Sequence, residues 1–409
     1  MSAAEQILQR VEALAKISEE PGKITRVFAS PAMRRANVLV ENWMRQAGMK
    51  TRVDAIGNLI GRYKGNKSNS KRLLLGSHLD TVRNAGKFDG PLGVILAIAC
   101  VAELSRQKVR LPFAIEVVGF ADEEGVRYQT AYLGSKVLAG SFDRRDLRRK
   151  DANGISMSEA IRRFGGNDAK LTSARLDPKQ LMGYVEAHIE QGPLLEKSNL
   201  GLGVVSAIVG QTRARLSFIG QASHAGTTPM NLRKDALCAA AEFILAVERR
   251  ARGTGGLVAT VGEIQALPGA GNVVPGEVRL SLDVRHASDS VRKTALRALK
   301  REAHQIARRR KLKLHHEVVQ ETASVACSEV LSRTLAEAVK RRQKKSPRLA
   351  SGAGHDAAVM AKITPVAMLF IRCKNGLSHH PEESVKTADV EIALEVMNDF
   401  LRRLAAGHT

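Results

Sequence analysis

His78 and Asp80 stand two residues apart at the end of an apolar run, RLLLGSHLD, so in an extended chain their side chains leave the same side. Asp89 follows in a glycine-rich loop, GKFDGPLG, and Glu123 and Glu124 are adjacent after a second apolar run, FAIEVVGFA. His188 lies in VEAHIEQG, and His379 and His380 lie in GLSHHPEE. Imidazole and carboxylate donors without thiolates suit zinc, manganese or cobalt. Catalysis at such a site also needs an open coordination position and a nearby base, and the spare carboxylate of the Glu123–Glu124 pair could serve. Singly, an HxD or an EE pair is most often a solvated surface feature. Four polar clusters placed directly behind apolar stretches are harder to assign to solvation alone.

The elements that must position these residues alternate between helix and strand from residue 31 onward. A helical stretch, PAMRRANVLVENWMRQAG, precedes strand-like MKTRVDA and NLIGRYKG, then RLLLG, the helix GVILAIACVAELSRQ and the strand FAIEVVGFA. Continuous apolar runs between helices predict an α/β sheet with strands buried on both faces. Ligands of open α/β sheets bind outside the carboxyl ends of the strands, which puts His78–Asp80 and Asp122–Glu124 at a candidate rim. Residues 212–319 read as an inserted unit of order βαββαβ, a split βαβ sandwich. The catalytic domain would then comprise residues 1–211 and 320–409. Residues 141–180 are expected to form a basic, weakly patterned connection.

Composition bounds the partners. Lys and Arg number 64 against 41 Asp and Glu, a net charge of +23, which suggests nucleic acid at first sight. Aromatic residues are only 4%, so stacking platforms are scarce, and the basic runs lie on predicted helix ends or linkers. The expected partner is a small anionic molecule, with neither nucleic acid nor membrane. The longest apolar stretch, around Leu92 to Ala102, falls short of the roughly 18 residues a membrane span requires. The amino terminus alternates charged and apolar residues at helical spacing, unlike a secretory signal. Cys100, Cys238, Cys327 and Cys373 are far apart, as expected of a reduced cytoplasmic protein.

The segments GSHLDTV, KFDGPLGV, FADEEGVRYQTAYLGS, EAHIEQGP, GQASHAGTTPM, GNVVPGEVRLSLDVR, SGAGHDA and GLSHHPEE together resemble the dinuclear metal amidohydrolases. That group holds allantoate amidohydrolases, N-carbamoyl-L-amino-acid hydrolases and β-ureidopropionases, within the aminoacylase and carboxypeptidase-like metallopeptidases. The resemblance runs from about residue 20 to 405. It implies two divalent ions, zinc or manganese with cobalt as a further option, held by His78, Asp89, Glu124, His188 and His379, with Asp89 bridging. Glu123 would be the general base and Asp80 would orient a ligand imidazole. His224 would steady the oxyanion from a lid that also forms a homodimer, and His380 would face substrate or support the ligands. Gln191, Asn272, Arg285, Gly354 and His355 would contact substrate, Arg285 as a carboxylate clamp. A cis peptide is expected at Asp89–Gly90. The implied reaction is hydrolysis of a linear ureido C–N bond. The segments after His78 and Glu124 lean toward allantoate, with N-carbamoyl amino acids as the alternative and a peptidase or an inactive binding module more remote.

Overall fold

A computed structural model describes residues 1–67 and 70–407. The chain divides into two compact units. The first comprises Met1–Ser206, Cys327–Leu349 and Ala353–Thr409, and the second Ala207–Ala326 with Ala350–Gly352.

The first unit is built on a mixed sheet. Seven of its strands lie in the order Lys50–Val53, Leu59–Tyr63, Ala114–Phe120, Arg72–His78, Leu181–Ile189, Val366–Ile371, Leu202–Ile208. The middle four, from Ala114–Phe120 to Val366–Ile371, are parallel, and the flanking strands pair antiparallel. Every residue of Arg72–His78 and of Ala114–Phe120 is buried, as their unbroken apolar runs predict for strands covered on both faces. The α/β class read from the sequence is the one observed.

Helices supply the cover. Pro31–Gln46 starts at Ser30, whose hydroxyl accepts the Met33 N–H, with proline in the first turn. Pro91–Arg106 is apolar nearly all round, and Leu92, Val94, Ile95, Leu96, Ile98 and Val101 are fully buried. That explains the longest apolar stretch as a core helix; among the described residues no helix is long and apolar enough to cross a membrane. Gly93 lets this helix touch the sheet: a Cβ there would stand 2.1 Å from the Ala187 carbonyl oxygen.

The stretch 141–180 is more ordered than a weakly patterned connection. It contains the helix Met157–Phe164, capped by Ser156 and closed by Gly165 at φ +95°. Met157, Ala160, Ile161 and Phe164 are buried, the first three in a small core with Phe28, Ile56 and Tyr128. Each large apolar side chain buried this way contributes about 1.5–3 kcal/mol.

The second unit has a five-stranded sheet with Ile264–Leu267, Glu277–His286, Gly210–Ile219 and Lys313–Thr322 in that order and Val258–Thr260 also on Glu277–His286. Helices Ala236–Arg252 and Asp289–Arg309 pack on it around Phe218, Phe243, Val278 and Leu299. This is the βαββαβ order expected, with the strand in GLVATVGE cut to Val258–Thr260 and a further short strand, Ile264–Leu267, following it. A two-stranded ribbon, Ser223–His224 with Val273–Val274, adds to it.

Candidate metal centre

The four parallel strands of the first unit deliver the chemistry at their carboxyl ends. His78 closes its strand, Glu123 and Glu124 follow Phe120, His188 is next to last in its strand, and His379 follows Ile371 by a short loop. Asp89 stands just before the helix that starts at Pro91. The imidazole Nε2 atoms of His78 and His188 each lie 3.2 Å from Asp89 Oδ1. Asp89 Oδ2 is 3.5 Å from His379 Nε2, which is 3.2 Å from Glu124 Oε1. One carboxylate thus faces two imidazoles on one oxygen and a third on the other.

The ring orientations suit metal ligation. His78 Nδ1 lies 3.0 Å from the Asp80 carbonyl oxygen and His188 Nδ1 lies 2.9 Å from that of Ile189. A carbonyl only accepts, so each Nδ1 carries a proton, and each Nε2, which faces the centre, is the nitrogen that would ligate an ion once it gives up its own proton. Donor atoms of His78, Asp89 and His188 all lie within 4.8 Å of one another, as do those of Asp89, Glu124 and His379. Asp80, Asp89, Asp122, Glu123, Glu186 and Asp356 are all buried here. So many carboxylates out of water need cations, and a metal-ion centre fits this donor set.

Glycine and strain shape the approach. Gly90 adopts φ +83°, and a Cβ there would stand 2.4 Å from the His78 ring. The Asp89–Gly90 bond is trans, a correction to the cis peptide expected, since the left-handed glycine already turns the loop under His78. Gln191 at φ +58° and His379 at φ +56° are non-glycine residues in the left-handed region, a costly geometry that concentrates at functional sites.

Further contacts hold the ligands. The Asp80 carboxylate accepts the Glu123 N–H at 2.9 Å and the Glu124 N–H at 3.1 Å, so it fixes the glutamate pair as well as His78. Glu383 Oε1 accepts the Phe88 N–H at 2.7 Å and the Asp89 N–H at 3.0 Å. Gln191 Nε2 donates to Asp89 Oδ2 at 2.7 Å, and the Ser378 hydroxyl donates to the same oxygen. Glu186 accepts the Ser77 hydroxyl and the Ala357 N–H behind His188. Sequence reasoning missed Glu383, Ser378 and Glu186; only Glu383 left a trace, in the acidic end of HHPEE.

Charge is unevenly distributed at the centre. Burial pushes the Glu123 carboxyl well above its usual range; the His78 charge opposes this, and Glu124 and Asp356 add to it. Burial alone would raise Asp89 too, yet the charges and hydrogen bonds of His188 and His78 hold it well below. The hydrogen bond to Glu124 raises His379 to about 9.

The remaining site candidates lie as follows. His355 is buried, its ring centroid 4.6 Å from that of His188 in an edge-to-face pair. Gly354 leaves room for the Tyr132 hydroxyl, which would clash with a Cβ. His380 is exposed, and its Nδ1 accepts the Glu382 N–H. His224, Asn272 and Arg285 belong to the second unit. There His224 pairs with Val273, and the Asn272 carbonyl accepts the Ala225 N–H, so the two share one ribbon. His224 Nδ1 accepts the N–H groups of Gly226 and Thr227, which leaves the proton on an outward Nε2. The Arg285 guanidinium is engaged by both Asp283 carboxylate oxygens at 2.9 Å and by the Gly352 carbonyl at 2.9 Å.

Comparison with known proteins adds to this geometry. Residues 74–403 match the peptidase family M20/M25/M40. The chain is 40% identical to an N-carbamoyl-L-amino acid amidohydrolase of Geobacillus stearothermophilus, over 100% of both chains. It is 38% identical to allantoate deiminase 2 of Glycine max, over 98% of this chain and 89% of the relative. A crystal structure of a hydantoinase/carbamoylase family amidase from Burkholderia multivorans superposes with TM-score 0.92 at 31% identity, covering 98% of each chain.

Proposed function

Because the chain belongs to the peptidase family M20/M25/M40 and is a hydrolase of C–N bonds, we propose that it cleaves the ureido group of a small anion, with allantoate the leading substrate. The observation that carries the hydrolytic reading is the convergence of His78, His188 and His379 on Asp89, with buried Glu123 beside them. The lean toward allantoate rests on SHLDTV followed by AGKFDGPLG and on DEEGVRYQTAYLGS.

In this proposal His78, Asp89 and His188 would hold one divalent ion, zinc or manganese, and Asp89, Glu124 and His379 would hold a second. Such ions, when bound, supply Lewis acidity that polarises the ureido carbonyl and lowers the pKa of water. Glu123 takes the proton of the attacking water and passes it to the leaving nitrogen. Glu124 faces His379 and would be committed to ligation, which would divide the roles of the two adjacent glutamates. Water adds to the carbonyl, the C–N bond breaks, and the substrate nitrogen leaves as an amine. The carbamic acid released falls apart into ammonia and carbon dioxide. Gln191 Oε1 is buried without a hydrogen-bond partner among the described residues, an acceptor suited to a ureido N–H. The Nε2–H of His224, contributed by the second subunit of a homodimer, donates to the developing oxyanion. Asn272 and Arg285 act on the substrate's polar end. The four cysteines are free, in keeping with action in the cytoplasm.

The second reading is an N-carbamoyl-L-amino-acid hydrolase, favoured by the 40% identity over the full length of such an enzyme. Ammonia release from allantoate and from a set of N-carbamoyl-L-amino acids, after separate reconstitution with zinc and manganese, decides between them. A kcat/KM for allantoate well above every carbamoyl amino acid supports the first reading. The reverse order assigns the second, and dipeptide cleavage alone would overturn both.

A further inference from the structure

A cavity of about 1170 Å³ lies in the first unit between the start of the helix Pro31–Gln46, the turn Val126–Gln129 and the segment Arg149–Asn153. None of the proposed metal ligands lines it. Its wall carries seven cationic side chains and two acidic ones.

Most of that charge is answered locally, and the remainder is informative. Arg127 pairs with Asp151 at 2.9 Å, and Arg83, Arg149 and Arg163 pair with Glu20, Asp146 and Glu159. Glu19 accepts the Val27 N–H at 3.0 Å and faces the buried Arg26 guanidinium. Among the described residues that leaves Arg34, Arg35 and Lys150 without an acidic partner. Arg34 donates to the Arg163 carbonyl and Arg35 to the Ser18 carbonyl at 3.1 Å, neutral oxygens that orient a guanidinium without cancelling its charge. All three residues are exposed.

The helix that carries Arg34 and Arg35 points its amino terminus into the same space. Ser30 and Pro31 line the cavity, and the first turn holds no acidic residue to occupy the positive end of the helix dipole. Three cations without an acidic partner among the described residues, all lining one concavity, make a site for a group with more than one negative charge. A monoanionic carboxylate would leave two of the three cations unmatched.

We propose that this cavity binds the dianionic phosphoryl group of a small molecule, between Arg34, Arg35 and Lys150, at a site separate from the metal centre. The group could come from free phosphate or from a phosphate ester, and the cavity has room for an ester the size of a nucleotide.

Isothermal titration of the metal-loaded protein with inorganic phosphate and with adenosine 5′-monophosphate tests this. A chain of net charge +23 attracts any anion, so the comparison is between two charge-matched variants. Arg34→Gln with Arg35→Gln should weaken binding at least about tenfold, the worth of a lost charge-assisted hydrogen bond. Arg341→Gln with Lys345→Gln, remote in sequence and also exposed, should change it less than about twofold. Lys150→Gln provides an independent variant should the arginine pair fail to fold. Tighter binding of the nucleotide than of phosphate, lost with the arginines, identifies an ester site; equal binding identifies a free-anion site. Equal weakening by both variant pairs, no effect of the arginine pair or Lys150→Gln, or no binding of either probe would overturn the proposal.

Discussion

Replacing Glu383 tests whether the bridging position of Asp89 is imposed by its loop. Glu383 is 1% exposed, and its Oε1 accepts the backbone N–H groups of Phe88 and Asp89 at 2.7 and 3.0 Å. A hydrogen bond to a charged acceptor is worth about 1.5–3 kcal/mol and one to a neutral acceptor about 0.5–1.5. Burial and the Asp89 charge raise the Glu383 carboxyl to about 7. Above that pH, where it is ionised, Glu383→Gln keeps the acceptor and the shape and two bonds each weaken by about 1 kcal/mol, roughly 2 in all. Glu383→Ala leaves two buried donors unsatisfied, at about 1–3 kcal/mol each. If that energy holds Asp89 in place, it reappears as metal affinity, where loss of a supporting group typically costs about 10–100-fold. Chelator competition for zinc, with the melting temperature recorded in parallel, should rank wild type above Gln and Gln above Ala by about tenfold per step. Wild-type affinity in both variants would refute the reasoning, because the loop would then hold Asp89 without Glu383.

Glu123→Gln should retain metal and lose about 10²–10⁴-fold in kcat, because it removes a base and no ligand; metal content and steady-state rates check this. Gly90→Ala brings a Cβ to within 2.4 Å of the His78 ring and strains a φ of +83°, so metal content and melting temperature should both fall, and unchanged values for both would contradict that geometry. Arg285→Lys should raise KM severalfold for an anionic substrate with little change in kcat, since an ammonium lacks the planar fork that now spans Asp283. Once subunit exchange is shown by mass, mixing inactive His224→Ala with inactive Glu123→Gln should restore partial activity. Mixed dimers that stay inactive would remove the partner's His224 from the site.

The parallel strands were legible because burial on both faces forces continuous apolar sequence, and RLLLG and FAIEVVGF have little else to be. The helix Met157–Phe164 was not read, although its signals are present. Ser156 and Glu159 have capping-box spacing, Gly165 stops the turn, and buried Met157, Ala160, Ile161 and Phe164 fall at i, i+3, i+4 and i+7. Basic flanks such as RRDLRRK mask them, because the polarity of the whole stretch hides the period of its central eight residues. The three-residue strand Val258–Thr260 and the two-residue ribbon holding His224 lie below the length at which alternation can be recognised.

The residues around Asp89 divide by the same physics. His78 and Glu124 sit at the ends of neighbouring strands, so sequence position implied proximity, whereas His188, on a strand that local pattern did not reveal, was placed by the resemblance alone. Glu383 reaches Asp89 from 294 residues away, and Gln191 from 102, contacts that no local spacing encodes. Composition concealed the site in another way. The net charge of +23 is a sum over the whole chain, whereas Asp80, Asp89, Asp122, Glu123, Glu186 and Asp356 are gathered in the interior. Exposed cations dominate the sum and suggest an anionic partner; buried acids set the chemistry and call for cations. The two charge populations therefore answer different questions. The interior one bears on the reaction, and the exterior one on the anions the surface gathers, including any that occupy the cavity beside Arg34 and Arg35.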